Sequence, residues 1–177
     1  MTYFSYFNKG LYDIKGDGND KILTDIFTRI KVRNKIFDVA TLYDKYDVVS
    51  GDKPEDISFK HFGDAQYHWV ILLTNNITDR YYQWPLSYQD FETYINDKYE
   101  NPDAVHHYEI TQSSGPQTGN GPEDYSHKIE VNSTHTGAQS VSNREYEERL
   151  QDQRRQIKLL NPAYLQVFIE EFEKLVK

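Results

Sequence analysis

Cysteine is absent from this 177-residue sequence, which excludes a disulfide framework and a metal site built on thiolates. The absence is typical of a protein that assembles in a reducing cytosol. The first ten residues, MTYFSYFNKG, contain neither a basic region nor an apolar run, so we expect no secretory signal. No stretch approaches the ~18 apolar residues of a membrane-spanning helix, and we expect no membrane partner.

Positive charge is in deficit, because 20 Lys and Arg face 28 Asp and Glu, for a formal net charge of -8. Phosphate contacts need clustered Lys and Arg, so nucleic-acid binding is not expected. Apolar residues are also scarce, at 37% of the chain with a mean hydropathy of -0.82. Such a polar chain is expected to keep part of itself extended or packed on partners.

Motifs for catalysis are missing as well. The sequence contains no GxSxG, no P-loop and no HExxH motif. Its many carboxylates show no pairing in an apolar setting of the kind that tunes an acid and a base. We therefore predict a non-enzymatic protein with no catalytic residues and no cofactor.

Two candidate metal sites fail on spacing. A calcium loop that begins at Asp13 would place Lys15 third, where an acidic or amide side chain is required, and Thr24 twelfth, where a bidentate Glu is required. A zinc site would need three or four convergent ligands from His106, His107, His127 and His135. Neighbouring strand residues alternate faces, so we expect His106 and His107 to point apart, and we predict no metal site.

Aromatic residues are abundant, with 15 Tyr, 9 Phe and 2 Trp. Tyrosine joins an apolar ring to a polar tip, which suits surfaces that become buried only on assembly. A tyrosine-rich core would explain the same composition. Composition leaves both interpretations open.

The densest set of local signals lies between Tyr46 and Ile77. Alternation predicts a strand over 46–49. Asp52 is expected to begin a helix, which Gly63 ends in the left-handed conformation. Asp64 is expected to cap a second helix, which Asn75-Asn76 stops. The pattern predicts a strand, a helix and a helix in succession.

The flanking segments are more irregular. Residues 1–20 fit an extended arm or strands, and the apolar spacing over 22–30 predicts a short helix followed by extended chain. After the core, an aromatic loop over 78–86 precedes a helix capped by Ser87 and Asp90.

The last third of the sequence predicts a hairpin and two helices. Strands over 106–111 and 127–132 flank a tip rich in Gly and Pro, and 133–142 fits a linker. Residues 143–158 predict a charged helix with a narrow apolar stripe. A short strand over 157–160 and a helix begun by Asn161-Pro162 follow.

These signals predict an α+β fold. Its parts are an N-terminal extended arm, a small strand-helix-helix core, a long-tipped β-hairpin and C-terminal helices that dock on the core or on partners. The expected boundaries are 1–43, 44–100, 101–142 and 143–177.

The core resembles a LysM module. The residues that carry the resemblance are Tyr46, Val48, Ser50-Gly51-Asp52, Ile57, Gly63 and Asn75-Asn76-Ile77. The resemblance implies a groove that binds N-acetylglucosamine glycans, and its lining would be Gly51, Asp52, Lys53, Asn75, Asn76 and Ile77. Lys53 replaces a small hydroxyl residue, and an aromatic loop replaces the closing strand. A peptidoglycan- or chitin-binding module is therefore the alternative function.

Most of the chain resembles the small baseplate wedge subunit of T-even-like contractile-tailed phages, which carries a LysM-like module. The matching segments are Thr24-Asp25-Ile26-Phe27, residues 68–73, Asn75-Asn76, Asp79, Tyr81-Tyr82, Trp84-Pro85-Leu86, the helix end at 94–99 and Gln156–Leu160.

The resemblance implies a structural protein of the virion that joins neighbouring wedges into the ring around the tail hub. It implies partners among the other wedge subunits and the sheath-initiating protein, in a hetero-oligomer with multiple copies that is assembled in the host cytoplasm. Stable interfaces favour aromatic anchors. The predicted interface residues are Tyr81, Tyr82, Trp84, Tyr146, Leu150, Ile157, Phe168 and Phe172.

Overall fold

Short helices with defined caps alternate with short antiparallel strands, and the fold is α+β as predicted. A computed structural model describes residues 3–32, 41–112 and 127–177. The predicted hairpin tip lies outside the described residues. The chain forms two compact units, one of residues 1–85 with 154–177 and one of residues 86–153.

The strands are β1 Lys9–Tyr12, β2 Lys21–Thr24, β3 Tyr43–Asp47, β4 Val105–Gln112, β5 His127–Val131, β6 Gln139–Ser142 and β7 Gln156–Leu160. The α-helices are α1 Pro54–Phe62, α2 His68–Thr74, α3 Arg80–Gln83, α4 Tyr88–Lys98, α5 Asn143–Arg155 and α6 Leu165–Val176. Turns of 3-10 helix cover Tyr3–Tyr6, Ala65–Tyr67 and Pro162–Tyr164.

The predicted helix over 22–30 is wrong, because its first residues form strand β2. β2 pairs antiparallel with β1 and places Leu11 opposite Ile22. The Asp13 carboxylate organises the connecting turn by accepting hydrogen bonds from the backbone N–H groups of Lys15, Gly16 and Gly18. Helical spacing alone could not reveal that this turn folds the segment back on its neighbour.

The core strand β3 begins three residues earlier than predicted and pairs antiparallel with β7, with Tyr46 opposite Ile157. The predicted strand at 157–160 is confirmed as part of β7. A strand from the C-terminal region thus completes the sheet that begins the strand-helix-helix core.

The central helices start and stop at their caps. Helix α1 begins at Pro54 instead of Asp52, and the Asp56 carboxylate accepts the backbone N–H of Lys53 at 3.3 Å. Gly63 ends the helix at φ 80°, as predicted. Asp64 accepts the N–H of Gln66 and begins the 3-10 turn that leads into α2.

Helix α2 carries the core of the first unit. Its Trp69 contacts both chain ends, since the Phe172 ring of α6 lies 4.7 Å away and the Tyr6 ring lies 5.6 Å away, between ring centroids. The buried residues around it are Tyr6, Phe7, Tyr43, Trp69, Val70, Leu160, Ile169, Phe172 and Val176. A second buried cluster contains Val48, Ile57, Ile71, Trp84, Ile157 and Leu159. Part of the aromatic content therefore forms a core.

The second unit is built on the three-stranded sheet β5-β4-β6, with helices α4 and α5. Both hairpin strands are confirmed. The predicted linker over 133–142 is wrong at its end, because β6 pairs antiparallel with β4 and buries Val141. Ser87 caps α4 as predicted, since its Oγ accepts the N–H of Asp90.

Helix α5 packs through polar residues, whereas an apolar stripe was predicted. Its buried residues are Glu147 and Gln151. The Glu147 carboxylate accepts hydrogen bonds from Lys98 Nζ at 2.6 Å and from the Tyr99 hydroxyl at 2.9 Å. Burial alone would raise the pKa of Glu147, but these donors lower it. A buried carboxylate of this kind is tolerated because its lone pairs are satisfied.

A second buried carboxylate lies on β4. Glu109 forms a bidentate pair with the Arg149 guanidinium of α5, at 2.8 and 3.0 Å, and Lys128 Nζ lies 3.2 Å away. Arg149, assisted by Lys128, outweighs the effect of burial and lowers the pKa of Glu109 to about 2. The pair ties α5 to the sheet.

Candidate protein-interaction site

Helix α3 presents two tyrosines to solvent. The predicted aromatic loop contains this single helical turn, in which Tyr81 is 85% exposed and Tyr82 is 77% exposed. Two adjacent aromatic side chains with so much free surface are expected to be covered on assembly, because burying each removes 150–250 Å² from water. We call these two side chains the tyrosine surface.

The backbone under the tyrosine surface is held by local hydrogen bonds. The Asp79 carboxylate caps α3 by accepting the N–H groups of Tyr81 at 2.9 Å and Tyr82 at 3.3 Å. The Gln83 side chain reaches back and accepts the N–H groups of Thr78 and Asp79 at 2.7 and 2.9 Å. These bonds order the backbone from which the two rings extend.

Trp84 anchors the turn to the core of the first unit. Its ring is buried in the second cluster, and its indole N–H donates to the backbone carbonyl of Asp52 at 2.9 Å. Arg80 adds a salt bridge to Glu55 at 2.6 Å. Because the backbone under the exposed tyrosines is already ordered, binding costs little backbone entropy, which favours an effective anchor.

The other predicted interface residues have different environments. Ile157 and Phe172 are buried in the cores of their own unit, and Phe168 packs against the cluster around Trp69. Leu150 is half-buried on α5, and the half-buried Tyr146 stacks on the His106 ring at 4.0 Å between centroids. Among the predicted set, the large free surfaces belong to Tyr81 and Tyr82, and their role in an interface stays a prediction.

His106 and His107 do not follow the alternation of side chains between the two faces of a strand. His106 and His107 were expected to point apart, yet their Nδ1 atoms lie 2.8 Å apart. The reason is an irregularity in the pairing of β4 with β6 between Val105 and His107, which breaks the alternation of faces. Across the described ranges, no three His, Asp or Glu side chains converge to hold a metal ion.

Two polar side chains of the predicted glycan groove, those of Asp52 and Asn75, are engaged within the chain. The Asp52 carboxylate accepts hydrogen bonds from the Tyr46 hydroxyl at 3.1 Å and from Lys60 Nζ at 3.0 Å. Lys60, together with Tyr46, lowers the pKa of Asp52. The Asn75 amide bonds to the backbone of Lys158. These contacts leave few polar groups for a sugar, so the structure does not favour the glycan-binding alternative.

The exposure of Ile26 and Phe27, in the turn after β2, was not predicted. The hairpin of β1 and β2 and the turn after it expose several large side chains, and Phe27 is 93% exposed. The signal was present in Thr24-Asp25-Ile26-Phe27, because an Asp two residues before an aromatic residue can form a side-chain turn. The helical spacing of the same residues concealed it.

These features define a class of protein: a small α+β protein that displays exposed aromatic side chains from turns ordered by local hydrogen bonds. Within the described ranges, no helix has the length and apolarity needed to cross a membrane. The family model of base plate wedge protein 53 matches residues 2–112, and the chain belongs to this family of phage baseplate proteins. A search of curated proteins gave no match. The chain is therefore a structural component of a phage tail baseplate, where it assembles with other baseplate proteins.

Proposed function

We propose that this chain joins neighbouring wedges into the baseplate ring and that the tyrosine surface makes the contact between wedges. The role is structural and requires no catalysis. As the family resemblance implies, the partners are other wedge subunits and the sheath-initiating protein, in a particle that carries several copies of the chain and is assembled in the host cytoplasm.

The observation that carries the proposal is the exposure of Tyr81 and Tyr82 on a turn anchored by Trp84. The few hot-spot residues of an interface are enriched in Tyr and Trp, and truncating one of them to alanine costs about 2 kcal/mol or more of binding free energy. Their hydroxyls can hydrogen-bond to water before assembly, so the exposed rings keep a hydrated polar tip in the free subunit. An anchored pair suits a contact that must form between large preassembled parts.

The test uses the full-length chain and purified wedges assembled without it. Addition of the wild-type chain is expected to convert separate wedges into closed rings, which electron microscopy counts directly. We expect the Tyr81→Ala/Tyr82→Ala variant to require at least tenfold more protein for the same ring yield. The Tyr88→Ala variant is the matched control, because Tyr88 is 73% exposed and lies outside the tyrosine surface.

The two readouts separate attachment from joining. A double variant that binds single wedges but fails to close rings supports a joining role. Ring closure by the double variant at wild-type concentration would exclude the tyrosine surface from the contact. Failure of the wild-type chain to bind wedges would reject the proposed function as a whole.

A further inference from the structure

Both strands of the hairpin of β1 and β2 expose apolar side chains. Every residue of β1 is exposed, and in the described part of the chain neither strand pairs with a third. An isolated two-stranded hairpin is only marginally stable in water. The exposed apolar residues on it and on the following turn are Leu11, Tyr12, Ile14, Ile22, Leu23, Ile26 and Phe27.

These side chains cover both faces of the hairpin, because side chains alternate along a strand: Leu11 and Ile22 lie on one face, and Tyr12 and Leu23 lie on the other. Leu11 and Ile22 lie opposite each other in the ladder and are 70% and 71% exposed. Directly after β2 come Ile26, 66% exposed, and Phe27, 93% exposed. We call β1, β2 and the turn through Thr28 the hairpin surface.

The backbone of the hairpin surface is ordered by its own hydrogen bonds. The N–H of Asp25 donates to the carbonyl of Asn8 at 2.8 Å and continues the pairing beyond the strands. The Asp25 carboxylate accepts the N–H of Phe27 at 2.9 Å and the hydroxyl of Thr28 at 2.9 Å. Phe27 is thus held in an exposed position by specific contacts, which is the arrangement of a preorganised anchor.

The exposed area is large enough for a stable interface. A groove that encloses both faces of the hairpin surface would remove on the order of 700 Å² of apolar side-chain area from water, at about 150–250 Å² for each fully buried aromatic ring and comparable areas for aliphatic side chains. A standard interface buries about 800 Å² on each partner. The hairpin surface therefore approaches the requirement of one complete docking site.

Charge favours a different protein over a second copy as the occupant. The chain has a net charge of -8, so two copies repel each other. Along the hairpin the charges balance, since three lysines face three aspartates between Lys9 and Lys21. An apolar groove that is neutral or basic can therefore approach this part of the chain without electrostatic repulsion.

We propose that the hairpin surface docks into an apolar groove on a different baseplate protein and that Phe27 is its anchor. The inference rests on the proposed function, because it takes the partner from the same assembly. It assigns a second contact, separate in sequence from the tyrosine surface, by which the subunit attaches to a single wedge before rings close.

The test measures binding of the full-length chain to immobilised single wedges assembled without it. We expect Phe27→Ala to weaken binding at least tenfold. Phe59→Ala is the matched control, since the Phe59 ring of α1 is 65% exposed and lies outside the hairpin surface; its affinity should stay within about twofold of wild type. Because the Phe27 ring makes so little contact with its own chain, its removal should leave the melting temperature unchanged.

Further variants test preorganisation and the hairpin itself. Asp25→Ala removes the acceptor for Phe27 and Thr28 and should weaken binding with the phenyl ring still present. Asp25→Asn retains an acceptor oxygen and should restore most of the affinity. Ile22→Ala should weaken binding through the strand face. Wild-type affinity for both Asp25→Ala and Ile22→Ala would overturn the proposed docking geometry.

The outcomes distinguish this inference from the proposed function. If the wild-type chain binds wedges and Phe27→Ala binds equally well, the hairpin proposal alone is overturned. If the wild-type chain does not bind wedges, both fail. Sedimentation that shows a dimer of the free chain, lost in Phe27→Ala, would identify a second copy as the occupant and contradict the proposal.

Discussion

The Asn75 side chain pairs with the backbone of Lys158, which lies 83 residues further along the chain. Its Nδ2 donates to the carbonyl of Lys158 at 2.8 Å, and its Oδ1 accepts the N–H of Lys158 at 2.8 Å. Nδ2 also donates to the carbonyl of Ile71 at 2.9 Å. The amide side chain of Asn75 thus makes the same pair of hydrogen bonds that a neighbouring strand would make with Lys158. This pair attaches the end of α2 to β7.

Replacing Asn75 by alanine is expected to lower the free energy of unfolding by about 2–3 kcal/mol, because two carbonyls and one N–H lose partners in a half-buried setting. Urea denaturation measures the change. Asn76→Gly is the control, because Asn76 is exposed and has a φ of 54°, which glycine adopts without strain. Equal stability of Asn75→Ala and wild type would show that the pairing contributes nothing.

Trp84→Phe is expected to loosen the base of the tyrosine surface. The change removes the indole N–H that donates to Asp52 and should destabilise the protein by about 1–2 kcal/mol beyond the effect of ring size. Amide exchange at Tyr81 and Tyr82 should become faster.

Trp69→Phe provides the matched control for Trp84→Phe. Trp69 is buried like Trp84, but its indole nitrogen has no hydrogen-bond partner in the described part of the chain. The control should alter packing without accelerating exchange at Tyr81 and Tyr82. Equal exchange in both variants would argue against Trp84 as the base of the turn.

Glu109 is expected to make folding sensitive to acid. Its pKa falls from an ordinary 4.5 to about 2 in the folded chain, chiefly because of Arg149. A lowered folded pKa contributes stability that is complete above about pH 4.5 and is lost as the pH falls toward 2. Glu109→Gln should lower the free energy of unfolding at pH 7 by about 1–3 kcal/mol. It should also reduce the loss of stability between about pH 4.5 and pH 2.

Denaturation curves between pH 2 and 7 test this expectation. Glu148→Gln serves as the control, since Glu148 is exposed on the same helix as Arg149. The control should retain the wild-type slope between pH 4.5 and 2. If Glu109→Gln loses as much stability as wild type between pH 4.5 and 2, other carboxylates determine the acid sensitivity.

Local chemistry made several elements predictable. Gly63 ends α1 because only a residue without a Cβ adopts the left-handed conformation easily, and Ser87 begins α4 because its hydroxyl accepts an N–H three residues on. The hairpin strands β4 and β5 followed from alternation. Each of these signals acts within a few residues, so the sequence displays it directly.

The errors arose where distant segments meet. The apolar spacing over 22–30 is compatible with a helix, but its first residues form β2 because they pair with β1. The polar segment before α5 contains strand β6 because it pairs with the edge of β4 that β5 leaves open. The polar face of α5 was unpredictable because Glu147 is stabilised by Lys98 and Tyr99, which lie almost 50 residues away.

For the candidate interaction site too, some features are predictable from the sequence and others depend on tertiary packing. The sequence by itself determined the caps at Gly63, Asp64 and Ser87, the α+β composition, the resemblance to baseplate wedge proteins and the abundance of aromatic residues. Tertiary structure alone decided which aromatics are free: Trp84 and Phe172 are buried, whereas Tyr81, Tyr82 and Phe27 are exposed. The physical reason is that burial depends on which segments pack together, and strand β7 and helix α6 reach the core from the far end of the chain.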